Sequence, residues 1–140
     1  MKLVVIESPF AGNVERNLRY ARAAMADALH RGEAPFPSHA LYTQPGVLDD
    51  GKPEERALGI AAGLAWGAKA DLVAVYTDLG SSSGMMYGTE AAYERGACVE
   101  YRTIPGWGSI CGTKKSSFGE HSPIARLGRC SNCCAPDEEI

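Results

Sequence analysis

The run Ser81-Ser82-Ser83-Gly84-Met85-Met86-Tyr87-Gly88 decides the fold. Before it stands Leu72-Val73-Ala74-Val75-Tyr76, which with Asp71 reads as a buried strand. After it a helical pattern runs to Arg95, and Gly96 closes it. A strand that passes through a turn of small residues into a helix is the building unit of a parallel α/β sheet. The same turn exposes backbone amides at a helix start, where the aligned peptide dipoles favour a negative group.

Residues on either side repeat the alternation. Lys2 to Ile6 predicts a first strand, and Asn13 caps a first helix. Val14, Leu18, Ala21, Met25 and Ala28 make its apolar stripe, and Gly32 ends it. Ala34 to Phe36 predicts a short strand limited by Pro35 and Pro37. Ser38 to Lys52 reads as a long loop, a class often functional in compact domains. Pro53 opens a helix over 54–69 in which Gly59, Gly63 and Gly67 share one face. Each glycine costs a helix interior about 1 kcal/mol against alanine, so the row predicts that a sheet or another helix packs close to the backbone. Cys98 to Arg102 is the fourth strand. The expected fold is an open three-layer α/β sandwich with a mostly parallel sheet, flavodoxin-like or Rossmann-like. Residues 1–104 form its domain, and a cysteine-containing extension over 105–140 begins where the alternation stops at Ile104-Pro105-Gly106.

Composition removes several functions. A hydrophobic share of 45% suits a globular core, and no apolar run is long enough to span a bilayer. Met1-Lys2-Leu3-Val4-Val5-Ile6 reads as a strand rather than a signal peptide, so a cytoplasmic protein is expected. A formal charge of −3 without a basic stripe argues against nucleic-acid binding. The odd count of 5 cysteines does not read as a disulfide framework. Cys111, His121, Cys130 and Cys133 are the minor alternative of a zinc site; incidental thiols are the main reading, and no cofactor is expected.

Ligands of such sheets bind at the carboxyl ends of the strands. That edge carries Glu7-Ser8-Pro9-Phe10-Ala11-Gly12-Asn13 and Thr77-Asp78-Leu79-Gly80 followed by the serine run. Two small, hydroxyl-rich loops on one edge predict a pocket for a small molecule. The glycines match neither a dinucleotide fingerprint nor a Walker loop. Phe10 and Tyr42 are placed to stack on a base, with His39 and Gln44 beside Tyr42. Arg16 and Arg19 are within reach of a phosphate.

Several motifs in order resemble the nucleoside 2-deoxyribosyltransferase-like superfamily, and in particular an uncharacterised phage and bacterial branch of it. They are Ser8-Pro9-Phe10-Ala11-Gly12, Ser38 to Gln44, Pro53-Glu54-Glu55-Arg56-Ala57-Leu58-Gly59-Ile60, Ala70-Asp71-Leu72-Val73 and Gly84-Met85, covering residues 2–104. The resemblance implies that Asp71 orients substrate and that a helix-borne glutamate acts at the sugar C1′, where a carboxylate answers an oxocarbenium-like transition state. That glutamate falls at Met86, or in some members at Gly88. Neither residue has an acid. Glu7, Asp78 and Glu90 are the candidates left for catalysis. The leading expectation is therefore a protein that binds a nucleotide or nucleoside derivative through Ser8 to Asn13 and Ser81 to Met86 without turning it over. By resemblance it is a phage anti-defence protein sequestering an immune nucleotide signal. The alternatives are an N-glycosidase or deoxyribosyltransferase and a non-catalytic scaffold. The resemblance also implies a homo-oligomer.

Overall fold

The computed structural model describes residues 1–108. Its order is β1 (Leu3–Glu7), α1 (Val14–His30), β2 (Ala34–Phe36), α2 (Ser38–Tyr42), α3 (Pro53–Gly67), β3 (Leu72–Tyr76), α4 (Ser83–Glu94) and β4 (Val99–Arg102). All four strands are parallel in the order β2-β1-β3-β4. Val5 lies opposite Val73, and Glu7 opposite Val75. The chain moves from β1 to β2 on one side and returns past β1 to β3. The carboxyl ends of β1 and β3 therefore flank the point where strand order reverses, the usual position of a crevice in open α/β sheets.

Strand alternation splits the core in two. Val4, Ile6, Leu72, Ala74 and Tyr76 face α1 and pack on Tyr20, Ala24 and Ala28. Val5, Val73, Val75 and Val99 face α4 and pack on Met85 and Ala92. Ile104 and Trp107, on either side of the Pro105-Gly106 step, join the α1-side core, with Trp107 edge-on to Tyr20 at 4.8 Å between ring centres.

The buried face of α1 is Asn17, Tyr20, Ala21, Ala24 and Ala28. The expected stripe is thus shifted: Val14 is 39% exposed. Polar partners decide the rotation. Asn17 donates to the carbonyls of Phe10 and Ala11, at 2.9 and 3.0 Å, closing the loop after β1. The Tyr20 hydroxyl donates to Asp78 Oδ2 at 2.7 Å and accepts from the Asp78 amide at 2.8 Å. Burial and the Asp78 carboxylate hold the phenol well above its ordinary pKa. Tyr20→Phe leaves that amide without its partner and is expected to destabilise the fold by about 1–3 kcal/mol, read as a lower urea midpoint with an unchanged m-value.

On the same face, beside Tyr76, Arg102 is buried and pairs with both oxygens of Glu33 at 2.7 Å, tying β4 to the start of β2. The expected zinc ligands Cys111, His121, Cys130 and Cys133 lie outside the described residues. Among the described residues no cluster of His, Cys, Asp and Glu could hold a metal, and no helix is long and apolar enough to cross a membrane.

Candidate functional site

A cavity of about 150 Å³ lies between β1, α2, α3 and α4. That is room for on the order of ten waters. Ser8, Phe10 and Ala11 supply one wall and Ser82 to Met85 another, so the two small-residue loops do meet at the carboxyl edge of the sheet. Val5, Glu7 and Val73 make its floor.

Ser38 to Lys52 is not all loop. Ser38 to Tyr42 turns once as α2 and lies on the glycine row of α3. A Cβ at Gly63 would stand 2.7 Å from Ser38 Oγ, and one at Gly59 3.3 Å from a Leu48 methyl. Gly59 and Gly63 therefore receive a segment of their own chain, and not the sheet. This close approach brings His39, Tyr42, Thr43, Leu48 and Asp50 to the cavity. Arg56 of α3 holds the segment by an ion pair to Asp50 at 2.7 Å.

Glu7 and Gly88 meet in the interior. A Cβ on Gly88 would stand 2.8 Å from the Glu7 carboxyl carbon. The carboxylate thus occupies the space that a side chain at position 88 would fill. Burial pushes the Glu7 pKa up to about 7, against the pull of the Arg95 charge. Ser8 is 4% exposed, and its Oγ lies 2.7 Å from His39 Nε2. Burial drives His39 down to about 4, so near neutrality the ring is uncharged and acts only as a hydrogen-bond partner.

The structure brings Glu7, Ser8, Phe10, His39, Tyr42, Ser82, Ser83, Gly84 and Met85 together around the cavity. Ser82 is also the N-cap of α4, its hydroxyl accepting from the Met85 amide at 3.3 Å. Other expected residues do not line it. Asp71 immediately precedes β3 and accepts from the Leu3 amide at 2.7 Å, at the amino end of the sheet and a full strand from the cavity. Asp78 turns to the α1 side, where it holds Tyr20 and accepts from the Ile104 amide at 2.9 Å. Gly12, Asn13, Arg16 and Arg19 start α1, which packs on the opposite face. Asn13 caps that helix, as expected. Pro9 and Gln44 also lie outside the lining. On α4 the inward positions are Met85, Thr89 and Ala92, which turns Met86 and Glu90 outward; Met86 is 53% exposed, and Ser81, before the N-cap, is exposed too. Sequence reasoning missed Arg56, Arg95, Tyr87, Asp50 and Glu55 on the lining. The glycines at 59, 63 and 67 were the available signal, because a bare face marks where side chains from elsewhere converge.

No curated protein matches the chain. Among solved structures it is similar to a 2-deoxyribosyltransferase from the psychrotolerant bacterium Bacillus psychrosaccharolyticus, with a TM-score of 0.53, 19% identity and 72% of each chain covered. The likeness is one of fold: the parallel sheet and flanking helices are those of a nucleoside deoxyribosyltransferase-like α/β protein. The model of a domain family of unknown function, DUF7768, matches residues 2–102, and over that span the chain belongs to this family.

Proposed function

We propose that the cavity takes a nucleoside or nucleotide with its sugar against Glu7, and that Glu7 carries the carboxylate chemistry of N-glycosidic bond cleavage. One observation carries this reading. The helix positions where the resemblance expects the acid are Met86 and Gly88, and the Glu7 carboxylate fills the space left by the missing side chain at Gly88. A carboxylate is then present in the cavity although the helix provides none.

The chemistry needs little more. The bond between C1′ and the base nitrogen breaks with its electron pair leaving on the base, which takes up a proton. The ionised carboxylate stabilises or bonds C1′, and water or a second base then takes the sugar. A group titrating at about 7 has both forms present near neutrality. The protonated form gives its proton to the departing base, and the carboxylate so formed faces the cationic carbon. Phe10 and Tyr42 supply flat apolar faces beside it.

A second reading starts from the same buried carboxyl. The carboxyl could instead share a hydrogen bond with a sugar hydroxyl, giving a binder that holds its ligand intact. Incubating the purified protein with deoxynucleosides and their monophosphates, with chromatography for free base, separates the two. Base release that vanishes in Glu7→Gln supports the glycosidic reading. Saturable binding with no free base sinks it in favour of the binder.

A further inference from the structure

We propose that the outward face of α3 is an interface on which a second copy of this chain packs, antiparallel, across a two-fold axis near Ala61. From Ala57 to Gly67 the helix has no charged residue. A helix that is apolar all round is ordinarily a buried one. Here the inward row of Gly59, Gly63 and Gly67 lies against Leu48, Ser38 and Arg95. Yet Gly67 alone among the residues of α3 is buried. At about 100° per residue, Ala57, Leu58, Ala61 and Ala65 stand on the side opposite the glycines. All four are exposed, Leu58 at 61%. Ile60 and Trp66, also exposed, extend the apolar surface along its two edges. Nothing among the described residues covers this face.

Charge selects the occupant. Glu54 stands at the start of α3 and Lys69 just past its end, both exposed and neither in an ion pair. Ala61 lies midway, seven residues after Glu54 and eight before Lys69. An antiparallel copy turned about an axis at Ala61 brings its Lys69 to Glu54 and its Glu54 to Lys69, so the face is complementary to itself, as a two-fold interface requires. The alanines at the crossing let the two helices approach to about 8 Å. A helix of this length is about 22 Å long, and its outward half with the flanking Ile60 and Trp66 offers on the order of 600 Å² per copy, within the range of a specific interface. A lipid surface calls for a row of Lys and Arg at the rim, and the ends of this face have one charge of each sign. The described chain ends beside Trp107, which packs on Tyr20 at the α1 face, across the sheet from α3.

The test is sedimentation equilibrium of the full-length protein at micromolar concentration, where twice the monomer mass is expected. Ala61→Arg sets two guanidinium groups against each other at the axis and is expected to weaken the dimer by about 100-fold or more. Arginine suits an exposed helix position, so the helical circular dichroism is expected to stay. Glu54→Lys and Lys69→Glu are each expected to weaken the dimer by about tenfold at low salt. Mixed together, these two variants pair lysine with glutamate at both ends of the interface. Their heterodimer is expected to recover the affinity of the parent, a result that a role within one chain does not produce. A parent that stays monomeric overturns the proposal, as does a dimer indifferent to Ala61→Arg. Single charge variants that do not recover on mixing overturn the antiparallel pairing and the proposal with it.

Discussion

Glu7→Gln is expected to lose on the order of 10³-fold in base release and to gain stability at the same time. The two effects share a cause. Burial raises the Glu7 pKa from 4.5 to about 7, so between those values the folded protein holds a proton that the unfolded chain has released. Stability therefore falls as pH rises through that window, and the whole penalty is present above 7. A shift of this size corresponds to about 3 kcal/mol at most. Glutamine is neutral throughout and escapes it. Urea unfolding is expected to show the variant more stable than the parent at pH 8, with the difference closing below pH 4.5. Equal stabilities at pH 8 would mean that the carboxylate is solvated and not held in the interior. A stabilised variant with undiminished turnover would leave the buried acid without a part in the reaction.

The second large effect belongs to Gly88→Ala. The added carbon would sit 2.8 Å from the Glu7 carboxyl carbon, so the carboxylate must move. It lies at the end of a flexible side chain, and alanine favours the helix over glycine by about 1 kcal/mol. The fold is expected to be unharmed or slightly stabilised. Catalysis is far less tolerant: a displacement of about 1 Å costs roughly 10²-fold. Base release is expected to drop by that factor while the melting temperature holds or rises. The double variant Glu7→Gly with Gly88→Glu moves the acid from β1 to α4 and leaves one carboxylate in the same space. Partial recovery over Glu7→Gly alone is the expected result. Recovery would show that the cavity needs a carboxylate at this point and does not depend on which element carries it. A Gly88→Ala protein with full activity would remove Glu7 from the reaction.

Much of the fold was legible because its signals are local. The apolar run Leu72 to Tyr76, the cap at Asn13 and Pro53 at the first position of its helix each act within a few residues. The rotation of α1 was not, because Asn17 and Tyr20 are buried for hydrogen bonds to residues outside the helix. Asp71 and Asp78 show the same limit. Each adjoins a strand that leads to the site, yet one bonds at the amino end of the sheet and the other turns to the face of α1.

By itself the sequence determined the alternation of strands and helices, the parallel sheet and the two small-residue loops on its carboxyl edge. It also showed that Met86 and Gly88 bring no acid, since this is a matter of residue identity. Only the tertiary structure decided that Glu7 lies against Gly88, that α2 and Leu48 cover Gly63 and Gly59 and that Arg95 rests on Gly67. The physical reason is that periodicity reports which face of an element is apolar and says nothing of what stands opposite. A glycine records an approach without naming the neighbour, and here each neighbour comes from another part of the chain.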